Sequence, residues 1–251
     1  MKKHIGIIGG GAAGMMAAVT AARKGTKVTI LERNDRIGKK ILQTGNGKCN
    51  LGNRNLTVEC YHGGDAAWIK QALERFGTED TVCFFQKIGL LIKEKNGYLY
   101  PVSEQAASVL DVLRYELQTL GVEIIYGCKV QKVERTLSGK LVVNDGDREW
   151  QFDAVILTCG GKAAPGTGSD GSGWKIAKKA GHTCIAPVPA LVQLRCLETD
   201  LLKGIAGVRA DSRVRILCDG RETDVERGEL QLTEYGISGI CLLYTSPSPR
   251  D

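Results

Sequence analysis

The stretch HIGIIGGGAAG, residues 4–14, decides the fold of this chain. A short apolar run enters a glycine cluster of the form G-x-G-x-x-G at Gly9, Gly11 and Gly14. A segment rich in Ala and Met follows, and a second apolar run, KVTIL, occupies residues 27–31. A strand, a glycine turn, a helix and a second strand in this order predict an α/β domain with a parallel, Rossmann-like sheet.

Each glycine of this motif has a separate physical role. Gly9 permits a tight turn, Gly11 lets the backbone touch a pyrophosphate, and Gly14 allows close packing of helix against strand. The helix N-terminus, with its free N–H groups and positive dipole, attracts the phosphates. Glu32, at the end of the second strand, would accept hydrogen bonds from a ribose and repel a 2′-phosphate. We therefore expect FAD or NAD here; the alternative is a glycine turn that holds no ligand.

The polar stretch over residues 34–64 favours FAD over NAD. An NAD dehydrogenase usually continues with another βα unit, whereas this segment is irregular and rich in glycine. A loop of this length inside a compact domain is usually functional. It suits an extended cofactor whose far end needs wrapping.

Downstream segments predict the remaining elements of the domain. Helices are expected over 65–76, 79–88 and 103–120, with Thr78 and Ser103 as N-caps of the last two, and Asn96-Gly97 predicts a hairpin. An antiparallel meander of four strands is expected at Val122–Tyr126, Lys129–Arg135, Lys140–Val143 and Glu149–Phe152. The apolar run AVILT, residues 154–158, predicts a return to the parallel sheet.

The chain divides into two predicted domains. Residues 1–186 form the cofactor-binding domain, and residues 187–239, which contain strand-like runs at 191–195, 213–217 and 229–233, begin a β-rich insert domain. Residues 240–251, which include the stretch CLLYTSPSPRD, resemble translated sequencing-adapter read-through and are expected to be a non-native tail.

Composition excludes several classes of protein. The chain has 251 residues, of which 43% are hydrophobic and 25% charged, as in ordinary globular proteins. The net charge of +6 is scattered, and its longest basic clusters are Lys39-Lys40 and Lys178-Lys179, so nucleic acid is not an expected partner. No apolar run approaches the ~20 residues of a membrane span.

Cysteine and histidine usage points to a reducing compartment without a metal centre. The nine cysteines include no CxxC pair, and no secretory signal precedes them, so we expect free thiols and a cytoplasmic location. The three histidines are isolated from one another, which predicts no metal site. No carboxylate pair or catalytic triad is present, so the catalytic residues stay unidentified.

A second glycine-rich stretch, residues 166–171, also fits G-x-G-x-x-G. It starts several residues after the strand that ends near Cys159, and no acid-tipped strand follows it. We expect it to belong to the first cofactor site; a separate NAD site is the alternative. Cys49 is expected to be a structural thiol, since Cys60 lies too far along the chain to be a redox partner.

The stretches GKKILQTGNGKCN (38–50), AVILTCGG (154–161), PGTGSDGSG (165–173), PVPALV (187–192) and TEYGISG (233–239), taken with GGGAAG, resemble the BaiN/YhiN-like family of NAD(P)/FAD-dependent oxidoreductases. The resemblance extends over about residues 3–239. It implies a dinucleotide-binding flavoprotein fold interrupted by an insert domain that covers the flavin. The family's third flavin-binding segment has no match in this chain.

The resemblance also implies which residues hold FAD. The pyrophosphate would lie on Gly9, Gly11, Ala12, Ala13 and Gly14, the ribose on Glu32, and the adenine near Arg33 and the backbone of Val130. The ribityl chain and flavin ring would approach Lys40, Gly45, Gly47, Lys48, Cys49 and Asn50, while Thr158, Cys159, Gly160 and Gly161 close over the nucleotide. Lys48 would stabilise the reduced flavin; the alternative is a solvated loop lysine.

The activity implied is transfer of hydride from NAD(P)H, a transient donor, through FAD to an unsaturated or carbonyl organic substrate. Two alternatives stay open: a flavin-dependent amine oxidase that uses oxygen, and a non-catalytic FAD-binding module. The expected partner is a small molecule rather than a nucleic acid or a membrane. The choice of substrate and the oligomeric state are left open.

Overall fold

The computed structural model describes residues 2–61, 65–188, 193–197 and 199–239. The chain divides into two compact units, Met1–Cys184 and Ile185–Asp251. The predicted domain limits at 186 and 239 stay predictions, and the expected tail at 240–251 lies outside the described residues.

The first unit combines ten strands and five helices within its described residues. The strands are β1 (His4–Ile8), β2 (Lys27–Leu31), β3 (Gly52–Asn53), β4 (Ile92–Lys95), β5 (Tyr98–Pro101), β6 (Glu123–Ile125), β7 (Lys132–Arg135), β8 (Leu141–Asn144), β9 (Glu149–Phe152) and β10 (Ala154–Leu157). The helices are α1 (Ala12–Arg23), α2 (Ala66–Arg75), α3 (Thr78–Lys87), α4 (Ala106–Thr119) and α5 (Ser172–Lys179).

A parallel four-stranded sheet with the order β10-β1-β2-β6 forms the centre of this unit. In the register, Ile5 lies between Val28 of β2 and Ala154 of β10. The Rossmann-like expectation is thereby confirmed, including the return of the chain to the sheet at β10.

Side chains of a strand alternate between the two faces of a sheet, and each face of the parallel sheet packs against its own apolar core. Ile7 and Ile30 point to a core shared with α1 and α4. Their neighbours Ile8 and Leu31 point to a second core, which includes Phe152 of the meander and Ile176 of α5. Near-continuous apolar strands such as HIGII and KVTIL are the sequence pattern of such a doubly covered sheet.

The predicted four-stranded meander was wrong in its first strand. Residues 123–125 form β6, which pairs in parallel with β2, and the antiparallel meander has the order β7-β8-β9. The first meander strand also starts at Lys132 instead of Lys129. Residues 128–130 pass the end of β2, where the N–H of Cys128 donates to the carbonyl of Glu32 at 2.9 Å.

The two predicted N-caps were also wrong. Helix α3 begins after Gly77, whose N–H donates to the Asp80 carboxylate at 2.9 Å. Helix α4 begins after Gln105, and the Ser103 hydroxyl instead accepts a hydrogen bond from the Gln105 N–H at 3.3 Å. The predicted hairpin is confirmed, with Asn96 and Gly97 both at positive φ between β4 and β5.

The second unit contains an antiparallel sheet of order β11-β14-β13-β12. Its elements are β11 (Leu194–Arg195), α6 (Asp200–Lys203), β12 (Arg209–Cys218), β13 (Arg221–Thr233) and β14 (Gly236–Gly239). Strands β12 and β13 are longer than the sequence predicts, and part of the predicted strand at 191–195 lies outside the described residues. None of the helices in the described ranges has the length and apolar character that crossing a membrane requires.

Candidate functional site

A cavity of about 400 Å³ opens at the carboxyl ends of β1, β2 and β10. In open α/β sheets, ligands bind at this edge. Its volume is in the range of small-molecule and cofactor sites. The wall is built from the segments 8–13, 31–34, 38–41, 128–130, 157–160 and 167–169.

The glycine turn between β1 and α1 has the shape of a phosphate cradle. A Cβ on Gly9, which has φ +107°, would lie 2.7 Å from the Thr158 carbonyl oxygen, and a Cβ on Gly14 would lie 1.9 Å from the Gly9 carbonyl oxygen. Both positions therefore require glycine for packing. A Cβ on Gly11 would meet nothing within 4 Å, so the backbone there is open to a ligand.

The start of α1 supplies free donors to the same wall. The first backbone bond of the helix runs from the Met15 N–H to the Gly11 carbonyl at 2.9 Å. The N–H groups of Ala12 and Ala13, which line the cavity, precede that bond and lack an intrahelical acceptor. Such donors, with the helix dipole, favour a phosphate.

Glu32 fixes the turn to the end of β2. Its side chain is buried; Oε2 accepts from the Gly10 N–H at 2.6 Å, and Oε1 accepts from the backbone N–H and side-chain amide of Asn34 at 2.8 and 2.7 Å. An ionised carboxylate has about four acceptor positions. One position therefore remains for a ligand such as a ribose hydroxyl.

Val130 lines the cavity, and its backbone groups are unpaired among the described residues. The residue is buried, yet within the described ranges no group hydrogen-bonds its N–H or its carbonyl. Buried backbone groups are almost always paired. The edge of an adenine needs a donor and an acceptor of this kind, and the contact that the resemblance implies stays a prediction.

The segment after β10 closes the cavity from the opposite side. The Thr158 hydroxyl donates to the Gly9 carbonyl at 2.8 Å, so this strand end holds the glycine turn directly. The Lys40 ammonium donates to the Ser169 hydroxyl at 2.8 Å, and the Arg33 guanidinium forms an ion pair with Asp170 at 2.6 Å. The second G-x-G-x-x-G stretch thus contributes to the same cavity.

The charge of the wall favours an anion. It carries one carboxylate, that of Glu32, against five cationic side chains, and a concave site with excess positive charge attracts phosphates. These cationic residues are Arg33, Arg36, Lys39, Lys40 and Lys129.

Most of the predicted cofactor-binding residues meet at this cavity. Those in its wall are Gly9, Gly11, Ala12, Ala13, Glu32, Arg33, Lys40, Val130, Thr158, Cys159 and Gly160. Gly14 lies behind the glycine turn, and the Gly161 carbonyl accepts from the Gly171 N–H at 3.0 Å at the base of the second glycine loop.

The predicted flavin-ring residues Gly47, Lys48, Cys49 and Asn50 lie outside the cavity wall. Their role, like that of Gly45, stays a prediction. The Lys48 ammonium contacts the Glu104 carboxylate at 3.2 Å, and the Lys93 ammonium also donates to this carboxylate. The hydrogen bonds from Lys93 and from Lys48 lower the pKa of Glu104 to about 2. Cys49 is buried at φ +57°, and burial raises the pKa of its thiol.

Several residues of the wall were not singled out from the sequence, among them Gly10, Asn34, Cys128, Thr167 and Ser169. The second glycine-rich stretch was a usable signal for the last two. Nothing local marked Cys128, which bonds to Glu32, or the contact of Asn34 with Thr167, since both contacts join residues that are distant in sequence.

The two thiols of the wall are not activated. Burial, with the nearby Glu32 charge, raises the pKa of Cys159 to about 11, and burial with the Asp145 charge raises that of Cys128 to about 12. A reactive cysteine requires a lowered pKa. All eight cysteines in the described ranges are free, and these ranges contain no group of His, Cys, Asp and Glu arranged to bind a metal.

The model of the HI0933-like protein Rossmann domain matches residues 3–238. The chain belongs to the HI0933-like family. The resemblance to the BaiN/YhiN-like group is thereby confirmed.

Two curated relatives cover nearly the whole chain. The 3-dehydro-bile acid delta(4,6)-reductase of Clostridium scindens is 47% identical over 97% of this chain and 59% of its own length. A ribosomal RNA dihydrouridine synthase of Haemophilus influenzae is 31% identical over 96% of this chain and 60% of its own length. The chain thus spans about three-fifths of the length of these relatives.

Solved structures share the fold. A flavocytochrome c3 fumarate reductase in its open conformation matches 84% of this chain and 47% of its own with a TM-score of 0.58 at 16% identity. The 3-ketosteroid-delta4-(5alpha)-dehydrogenase of Rhodococcus jostii matches 63% of this chain and 46% of its own with a TM-score of 0.50 at 19% identity. At these identities the likeness concerns the fold alone.

Proposed function

We propose that this chain is the FAD-binding part of an oxidoreductase that takes hydride from NAD(P)H and reduces an unsaturated or carbonyl organic molecule. The cavity is the observation that supports the proposal. Its wall combines the glycine turn, the free N–H groups at the start of α1, the buried carboxylate of Glu32 and the unpaired backbone N–H and carbonyl of Val130. The chain spans about three-fifths of the length of its relatives, so this activity is proposed for the whole protein.

Bound FAD would supply the redox chemistry, by accepting and donating hydride. The residues of this chain bind and orient it. Gly11 and the N–H groups at the start of α1 hold the pyrophosphate, Glu32 holds a ribose hydroxyl, and Val130 pairs with the adenine edge. The cationic wall neutralises the two phosphate charges.

The environment of Glu32 supports FAD over a nucleotide with a 2′-phosphate. Its carboxylate is buried and already accepts three hydrogen bonds, so it cannot move aside without leaving donors unsatisfied. A 2′-phosphate beside it would bring like charges together in a poorly solvated place. NAD(P)H is therefore proposed as a transient donor that binds elsewhere.

The relatives suggest two substrate classes. The name of the 47% identical relative supports a steroid-like enone or dienone, which is an unsaturated ketone. The name of the 31% identical relative favours uridine in RNA as a second candidate, because the uridine ring also contains a carbon–carbon double bond. We place the protein in the cytoplasm on the basis of its free cysteines.

Anaerobic reduction of the FAD-loaded protein tests the proposal. We expect NADH or NADPH to bleach the flavin absorbance, and a steroid 4,6-dien-3-one to restore it. Restoration by a uridine-containing RNA fragment alone would select the second substrate class.

Two outcomes would overturn the proposal. Bleaching by an amine alone, with peroxide formed on admission of oxygen, would show an amine oxidase. Failure of both nicotinamides and of amines to bleach bound flavin would show a non-catalytic module. A Gly11→Ala variant, which keeps the fold and crowds the cradle, reports the background from free FAD.

A further inference from the structure

The free acceptor position of the Glu32 carboxylate can be assigned to one of its two oxygens. Oε1 accepts from the backbone N–H of Asn34 at 2.8 Å and from the side-chain amide of Asn34 at 2.7 Å. Among the described residues, Oε2 accepts only from the Gly10 N–H at 2.6 Å. Each carboxylate oxygen has two acceptor positions, so Oε1 is fully used and the free position belongs to Oε2.

The neighbours of the Asn34 amide fix its orientation. Nδ2 donates to Glu32 Oε1 and to the Thr167 carbonyl at 3.2 Å, and Oδ1 accepts from the Lys39 ammonium at 3.5 Å. The nitrogen thus faces two acceptors and the oxygen faces a cation. An amide turned by 180° would set oxygen against two oxygens and NH₂ against an ammonium, so the two donors of Asn34 are committed to these partners.

The second glycine-rich stretch leaves room for this amide. Gly168 has φ +101°, and a Cβ there would lie 2.8 Å from Asn34 Nδ2. The Thr167 N–H donates to the Ala164 carbonyl at 3.0 Å, so the carbonyl that receives the amide belongs to a hydrogen-bonded turn. Glycine at position 168 therefore serves the approach of Asn34 as well as the backbone conformation.

We propose that Asn34 is a positioning residue for the adenosine ribose of the dinucleotide. Its backbone N–H and its amide occupy both acceptor positions of Glu32 Oε1 and so leave Oε2 as the oxygen that receives a ribose hydroxyl. The inference rests on the proposed binding of FAD in this cavity. It assigns to Asn34, acting through Glu32, the preference of the site for a nucleotide that carries this hydroxyl.

Binding of ADP, 2′-deoxy-ADP and 3′-deoxy-ADP to the flavin-free chain measures this preference. ADP carries the adenosine ribose of FAD with both hydroxyls, and each analogue lacks one of them. A hydrogen bond to an ionised carboxylate is lost together with the hydroxyl that makes it. We therefore expect calorimetry to show about 10- to 100-fold weaker binding of one analogue than of ADP by the wild type.

The ratio of these two dissociation constants is the readout for Asn34. Asn34→Ala removes the amide and keeps the backbone N–H, so Oε1 regains a free position and Glu32 is less firmly held. We expect the ratio to shrink by about two- to tenfold, the effect of one hydrogen bond. A merely structural role would weaken ADP and the analogue equally and leave the ratio unchanged.

Asn34→Asp is the isosteric variant, which sets a carboxylate oxygen against Glu32 Oε1 and shrinks the ratio as well. Its matched control is Asn144→Asp, because the Asn144 amide also donates to a glutamate, Glu149, at 2.9 Å, and neither residue lines the cavity. This control must keep the wild-type ratio. Urea unfolding shows that each variant is folded, and Asn34→Ala carries the test where Asn34→Asp does not fold.

Gly168→Ala tests the same contact with Asn34 left in place. The added Cβ displaces the amide, so the ratio must shrink as it does in Asn34→Ala. Gly139→Ala is the control for backbone strain, because Gly139 has φ +83° and a Cβ there meets nothing within 4 Å. The ratio must stay at its wild-type value in that control.

Failure of this inference and failure of the proposed function give different results. If the wild type binds neither FAD nor ADP, the proposed function falls, and the inference falls with it. If the wild type prefers ADP and Asn34→Ala keeps the full ratio, Asn34 does not position the ribose, while binding of FAD stands. Equal binding of ADP and both analogues by the wild type would also overturn the inference, since Glu32 then makes no contact with a ribose hydroxyl.

Discussion

Replacing Gly11 with alanine separates cofactor binding from folding. The backbone of Gly11 at φ −78°, ψ −173° suits any residue, and an added Cβ meets nothing within 4 Å. We expect the free energy of unfolding to change by no more than about 0.5 kcal/mol. The new methyl group occupies space that the pyrophosphate needs, and crowding of this kind costs about 1–3 kcal/mol. That cost corresponds to a roughly 5- to 150-fold larger dissociation constant for FAD, which means weaker binding.

The matched variant Gly14→Ala reverses the pattern. A Cβ there lies 1.9 Å from the Gly9 carbonyl oxygen, so the helix must move off the strand, and we expect a loss of about 3 kcal/mol in unfolding free energy. Urea unfolding measures stability, and titration of FAD fluorescence measures binding. The reasoning is refuted if folded Gly11→Ala binds FAD as tightly as the wild type.

Three other predictions concern single groups. At pH 8 a thiol reagent labels exposed Cys60 quickly and leaves Cys159 and Cys128 nearly unlabelled, because their pKa values are raised to about 11 and 12; equal labelling rates would contradict this. Glu32→Gln leaves at least one buried donor unpaired, so chemical denaturation shows a loss of about 1–3 kcal/mol and FAD binds more weakly; unchanged values for both would count against the role assigned to this carboxylate. Burial, aided by the Lys27 charge, lowers the pKa of His4 from 6.5. The unfolded chain then binds the proton more readily, so stability falls as the pH drops through 6.5. Thermal unfolding of His4→Gln must show a flatter dependence of stability on pH.

The N-terminal βαβ unit could be predicted nearly residue by residue. The strands at 4–8 and 27–31 match the expected bounds because short apolar runs next to a glycine turn are typical of buried strands. The glycine roles were also predictable: Gly9 and Gly14 are packed by backbone atoms, whereas Gly11 is open.

The sheet to which residues 122–126 belong could not be predicted locally. A short apolar run has no periodicity that separates a parallel strand from a meander strand. Its partner, β2, lies far away in sequence, and pairing of Ile124 with Ile30 decides the matter. Nearby turns favoured the meander and misled the prediction.

The closing side of the cavity depends on long-range contacts that no motif reports. Asn34 and Lys40 meet Thr167 and Ser169 across more than a hundred residues of sequence. The second glycine stretch indicated the neighbourhood, but only the folded chain shows which side chains bridge it. Lys48 is expected near the flavin ring from its place in the sequence. In the folded chain its ammonium contacts Glu104, and its role at the flavin stays a prediction.

Binding of FAD compared with FMN tests the central claim most directly. Gly11, the N–H groups at the start of α1, Glu32 and Val130 are all assigned to the adenosine or the pyrophosphate, and FMN has neither. Calorimetric titration of the flavin-free protein must show one FAD per chain and an affinity for FMN at least tenfold lower. Equal affinities, or no binding of FAD to folded protein, would contradict the assignment of this cavity.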